Sequence, residues 1–148
     1  MRIAEFLKPE CVSEGISASN KRRVLHLLAD LLVKGDPQLS VNAVLQGLIE
    51  RENLGGTSLG KGIAIPHSRI KGASKVVGAF LKLDQGVDFS ACDQVPVDIF
   101  FAFAVPEDTS EHLQVLAQLA RVFRDPVFCK QLRSVKDGQA LYQLITEK

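Results

Sequence analysis

The chain has 148 residues, enough for one domain, since domains commonly run to roughly 100–150 residues. Hydrophobic residues make up 46% and charged residues 24%, the balance of a folded globular chain and not of a disordered one. Eighteen basic and seventeen acidic residues leave a formal charge of +1, which excludes the broad electropositive footprint of a nucleic-acid or anionic-membrane binder.

No run reaches the roughly 18 apolar residues of a membrane span, so no membrane insertion is expected. The start, Met1-Arg2-Ile3-Ala4-Glu5-Phe6, carries an early acid and no apolar core long enough for a signal peptide. Cys11, Cys92 and Cys129 are odd in number and lack metal-ligand spacing. They read as reduced thiols of a cytoplasmic protein.

Residues 1–16 predict a short amphipathic turn and then an edge strand over residues 11–16. Ser17 and Ser19 are N-cap candidates for a helix reaching to near Val33. Val24, Leu25, Leu27, Leu28, Leu31 and Leu32 supply its apolar stripe, and Gly35 with Pro37 ends it. A second helix starts near Ser40, turns Val41, Val44, Leu45, Leu48 and Ile49 inward, and stops near Asn53 ahead of Gly55-Gly56.

The period then changes. Residues 62–66 predict a short strand stopped by Pro66, and residues 75–83 alternate as another. Residues 97–105 (VDIFFAFAV) are almost continuously apolar, the mark of a central strand covered on both faces. Gly86, Asp93 and Pro96 punctuate the stretch between these two strands.

Thr109 is placed to cap a helix to near Arg124 that buries Leu113, Leu116, Leu119, Ala120 and Phe123. Asp125-Pro126 is a cap followed by proline at the first helical position and starts another. Asp137 caps a third helix, carrying Leu141, Leu144 and Ile145. The expected fold is α/β, a mixed sheet of about five strands sandwiched between helices, in a single domain over residues 1–148.

Residues 51–68 concentrate the unusual chemistry. Five of them are glycine or proline across a helix-to-strand transition, so the backbone turns sharply or approaches something closely. His67 follows the strand-ending Pro66, where its ring can be held at a sheet edge. Gly55 to Lys61 spells G-x-x-x-x-G-K, but Gly62 stands where a phosphate-binding loop needs the Ser or Thr that ligates magnesium. Such a loop also follows a strand and opens a helix, the reverse of the order here, which argues against nucleotide binding.

The three histidines differ in kind. His26 lies within the apolar-rich first helix and reads as structural or partly exposed. His112 falls in the first turn of the helix capped by Thr109, where the helix dipole disfavours its protonated form. From the residues alone it is equally a surface histidine or a neutral hydrogen-bonding group beside an anion.

The run R-E-N-L-G-G-T-S-L-G-K-G-I-A-I-P-H resembles the phosphorylation-site region of the fructose/mannitol-type (type 2) enzyme IIA family of the bacterial phosphotransferase system. The later T-S-E-H-L-Q-V-L-A-Q-L-A resembles that family's second-histidine helix, and the likeness covers essentially the whole chain. S-N-K-R-R-V-L at the first helix is most similar to the nitrogen-regulatory branch.

The resemblance implies that His67 accepts a phosphoryl group from an HPr-like carrier (NPr) and that Arg51 clamps phosphoryl oxygens. It implies further that His112 is the partner histidine, and that Thr57 or Ser58, with Ser58 preferred, supplies a small hydroxyl. Lys61, Ser68 and Arg69 depart from residues common in relatives, and Lys61 and Arg69 add positive charge. No cofactor and no metal are implied. The expected partners are the carrier and regulatory targets such as transporters or kinases. The alternatives are a sugar-specific enzyme IIA passing phosphate to a IIB cysteine and a binding module inactive in phosphotransfer.

Overall fold

The computed structural model describes residues 1–148. Two 3-10 turns, Ile3–Glu5 and Pro9–Cys11, lead into strand β1, Val12–Ile16. Helices α1, Lys21–Gly35, and α2, Val41–Leu54, follow. Then come strands β2, Ser58–Gly60, β3, Ile63–Ala64, β4, His67–Ile70, β5, Val77–Val87, and β6, Val97–Pro106. Helices α3, Glu111–Phe123, α4, Pro126–Ser134, and α5, Gly138–Thr146, complete the chain.

The strands form one mixed sheet of six, in the order β1-β5-β6-β3-β2, with β4 also on β6. β6 pairs antiparallel with β5 and parallel with both β3 and β4. β3 and β4 behave as one interrupted strand: Ile63 stands opposite Ile99, and His67 opposite Phe103. The Ile65-Pro66 step between them keeps a rung, because the Phe103 N–H donates to the Pro66 carbonyl at 3.1 Å.

Alternate residues of a strand face opposite sides of the sheet, and β6 is covered on both. Phe101 packs on Phe6 and on Phe123 of α3, which in turn meets Phe128 of α4. Phe100 points the other way, onto Phe89, with the Lys21 ammonium of α1 over the Phe89 ring. One hydrophobic core joins these layers.

Several boundaries differ from the sequence reading. Asn20, not Ser17 or Ser19, caps α1, its side chain accepting from the Arg23 N–H at 2.8 Å. The helix also runs on to Gly35, where glycine serves close packing: a Cβ there would lie 2.6 Å from Val77 Cγ2. The single strand expected over residues 62–66 is instead parts of a hairpin and an interrupted edge, so the sheet has six strands. β5 extends through Gly86, which packs beneath Pro96. α3 begins at Glu111, with Ser110 in the cap position and the Thr109 hydroxyl accepting the Glu111 N–H at 3.1 Å. It buries the i, i+4, i+8 line Val115, Leu119 and Phe123, while Leu113 is 61% exposed. Two residues of helix carry Leu113 about 200° round from Val115, onto the opposite face.

Candidate functional site

The site is built outward from the last turn of α2. Gly55 ends that helix with φ 154°, a backbone angle that favours glycine. Arg51 turns back over this end, Nη1 donating to the Gly55 carbonyl at 2.7 Å. Glu52, next in the chain, is buried. It pairs with Lys21 of α1 at 3.1 Å and accepts hydrogen bonds from the Thr57 hydroxyl and the Thr57 N–H. The Thr57 carbonyl accepts from the Ile65 N–H at 3.0 Å. A buried carboxylate needs such partners, and here they tie α1, α2, the glycine loop and the strand edge together.

That tie holds Ile65, whose carbonyl lies 2.6 Å from His67 Nδ1. A carbonyl only accepts, so Nδ1 carries the proton and donates it, leaving the lone pair on Nε2. The imidazole is buried and stacks on Phe103, with centroids 4.9 Å apart and planes 6° from parallel. Burial, above all, pushes the His67 pKa below its ordinary value. The positive charge of Arg51 acts in the same direction, while the bond to Ile65 and the Glu52 carboxylate oppose it. The ring is therefore neutral near pH 7.

A cleft of about 340 Å³ opens over this ring. Gly47, Glu50, Arg51 and Leu54 of α2 form one wall, His67, Ser68 and Arg69 of β4 another, and His112 of α3 closes it. His112 Nδ1 is buried without a hydrogen-bond partner. Gly47 sets the spacing between helix and strand: a Cβ there would lie 2.8 Å from Ser68 Oγ and from Ile70 Cδ1. A mid-helix glycine, unfavourable by about 1 kcal/mol, was the signal in the sequence for this close approach. Glu50, Leu54 and Phe103 carried no comparable signal.

The structure thus brings His67, Arg51 and His112 to one cleft and leaves Ser58 outside it. The Ser58 hydroxyl braces its own hairpin, donating to the Ile63 carbonyl at 3.2 Å and accepting from the Gly60 N–H at 3.1 Å. Thr57 is buried against Glu52 and does not line the cleft either. Lys61 lies in the β2–β3 turn, away from the cleft, whereas Arg69 reaches it. His26 sits 3.3 Å from Asp30 on α1, half-exposed. No group of three or more His, Cys, Asp or Glu side chains is arranged to hold a metal ion.

A neutral imidazole with its lone pair on Nε2, a guanidinium with donors to spare and a second imidazole make a site for covalent uptake of an anionic group. Comparison with known proteins identifies the family. The family model described as phosphoenolpyruvate-dependent sugar phosphotransferase system, EIIA 2, matches residues 5–148. The nitrogen regulatory protein of Pseudomonas aeruginosa is 37% identical, over 99% of this chain and 96% of its own. The crystal structure of nitrogen regulatory protein IIA-Ntr from Neisseria meningitidis is similar at TM-score 0.90 and 34% identity, covering 97% of this chain and 99% of that one. IIA mannitol from Escherichia coli is similar at TM-score 0.80 and 25% identity, covering 93% and 97%. The chain belongs to the type 2 enzyme IIA family of the phosphoenolpyruvate-dependent phosphotransferase system, on its nitrogen-regulatory branch.

Proposed function

We propose that this protein is a cytoplasmic phosphocarrier, a single domain over residues 1–148 that takes a phosphoryl group on His67 from an HPr-like carrier (NPr). It then regulates partner proteins, such as transporters or kinases, according to its phosphorylation state. The observation that carries this reading is the bond from His67 Nδ1 to the Ile65 carbonyl at 2.6 Å, beneath a cleft that also holds Arg51 and His112.

In this reading the Nε2 lone pair attacks the phosphorus of the donor's phosphohistidine. The new N–P bond forms as the donor's N–P bond breaks, and that electron pair returns to the donor imidazole. The proton stays on Nδ1 throughout, donated to the Ile65 carbonyl. Phosphoryl transfer is loose and in line, so positioning and charge stabilisation dominate. Arg51 supplies guanidinium donors to the equatorial oxygens, beyond the one held by Gly55, and His112 offers its unused ring nitrogen. Leu54 is 86% exposed at the cleft wall, and the exposed Leu113 follows His112. Apolar side chains beside a charged cleft suit a protein donor better than a small one.

Intact-mass spectrometry after incubation with phosphoenolpyruvate, enzyme I and an HPr-like carrier tests the reading. Wild type should gain one acid-labile phosphoryl group, and His67→Ala should gain none. No gain by wild type with several competent carriers would leave a binding module as the better account. Onward transfer to a IIB cysteine would move the assignment to a sugar-specific enzyme IIA.

A further inference from the structure

A second cavity, of about 370 Å³, opens where the β2–β3 turn meets the corner between α3 and α4. It shares no lining residue with the His67 cleft. Leu59, Ile63, Phe123 and Pro126 give it an apolar wall, and Lys61, Arg124 and Arg133 bring three cations to it. No acidic residue lines it.

The carboxylates that touch these elements are already engaged. Asp98 holds Arg133 through Nε and Nη2 at 2.9 to 3.3 Å. Asp93 accepts the backbone N–H groups of Lys61 at 2.7 Å and Val95 at 3.1 Å. Asp125 caps α4 through the N–H groups of Val127 and Phe128. Lys61 and Arg124 enter no ion pair.

Two of the cations are held by structure that itself needs explaining. Arg133 is fixed by Asp98 and by the Lys61 carbonyl, to which Nη2 donates at 3.0 Å, so Nη1 remains free on a rigid fork. Lys61 sits at φ 57°, between Gly60 at 87° and Gly62 at 83°. That backbone region is unfavourable for a residue with a side chain, and hydrogen bonds from Arg133 and to Asp93 secure it. A concave, mostly apolar wall with converging cations is complementary to an anion with an apolar body, and the volume falls in the range of about 300–1,000 Å³ usual for small-molecule sites.

We propose that this cavity binds a small amphipathic carboxylate. Its apolar body lies against Leu59 and Pro126, over the buried Phe123 and Ile63, and its carboxylate is held by Lys61, Arg124 and the free Nη1 of Arg133. The site is separate from the phosphoryl chemistry and stands or falls without it.

The test is amide proton–nitrogen correlation NMR of the full chain, titrated with hydrocinnamate and, separately, with uncharged hydrocinnamamide. Hydrocinnamate should produce saturable shifts confined to residues 59–63, 123–129 and Arg133. Its apparent Kd should be on the order of tenfold below that of the amide, as expected for charge-assisted hydrogen bonds. Lys61→Gln and Arg124→Gln should each weaken hydrocinnamate by a similar factor, with the rest of the spectrum unchanged to show an intact fold. Equal binding of acid and amide, shifts centred elsewhere, no saturation in the millimolar range, or unaltered Kd in both variants would each overturn the proposal.

Discussion

His67 is poised by three contacts that act together. The Ile65 carbonyl selects the tautomer, Phe103 fixes the ring plane and burial keeps the ring neutral. In the unfolded chain the imidazole titrates at its ordinary 6.5, whereas in the folded protein it titrates lower. Across that interval the unfolded state binds more protons, so stability falls as pH drops from 6.5 toward the folded value. Urea unfolding of wild type against His67→Gln should show the difference shifting against wild type between about pH 7.5 and pH 5.5; a difference independent of pH would refute the burial argument. Arg51 belongs to the same scale. Lysine offers a compact ammonium in place of a planar fork, so it cannot both hold Gly55 and take the phosphoryl-clamping part proposed for Arg51. Arg51→Lys should slow phosphoryl acceptance by about 10²-fold, measured by time-resolved intact mass, with little change in Tm.

At the scale of elements, the network of Lys21, Glu52 and Thr57 decides where the glycine loop sits. Thr57→Val keeps the shape of the side chain but removes a hydrogen-bond partner from a buried carboxylate. It should cost about 1–3 kcal/mol in denaturant unfolding. The cap of α1 gives a sharper contrast. Asn20→Ala should cost about 1 kcal/mol, while Ser17→Ala and Ser19→Ala stay near zero, because only Asn20 accepts from the helix. Lys82, buried in β5, plays a comparable part at the other end of a helix. Its ammonium donates to the carbonyls of Leu132, Arg133 and Val135 where α4 ends. These are groups that the helix leaves unpaired and the dipole makes negative.

For the whole molecule, the formal charge of +1 makes phosphorylation a large relative change. One phosphoryl adds about −1.5 to −2 at pH 7 and takes the net charge through zero. On a native gel the phosphorylated form should run toward the anode ahead of the free form, and mild acid should reverse the shift. A mobility unchanged after mass-verified phosphorylation would mean that compensating groups titrate. Stability changes at this chain length convert to Tm at roughly 2–4 °C per kcal/mol, so Thr57→Val is resolvable by calorimetry.

Local physics made much of this architecture legible in the sequence. Ser40, Asp125 and Asp137 cap helices as their spacing suggests, and the unbroken apolar run of β6 is the central strand. Capping involves neighbours two or three residues apart, and a strand covered on both faces must be apolar throughout, so both leave their mark in the chain. His67 stood out in its glycine-rich segment and His112 at a helix start, whereas Arg51 was singled out only by the family resemblance. Their convergence was implied by the resemblance and not by local pattern, because it depends on α2 lying close over β4 across Gly47 and on α3 returning after β6. Strands of two to four residues are too short to show a period, so β2 and β4 leave no legible pattern and β3 reads as a strand over residues 62–66. Leu113 was misplaced because one face of α3 wins burial only once the sheet is there to receive it. Ser58 and Thr57 were inseparable in the chain; the backbone and carboxylate partners that fold back onto them separate the hairpin brace from the loop tie. Sequence by itself determined the elements and the chemical groups, whose causes are short-range. Tertiary structure alone decided which groups share a cleft and in which tautomer His67 waits, because those depend on partners that only folding brings within hydrogen-bonding distance.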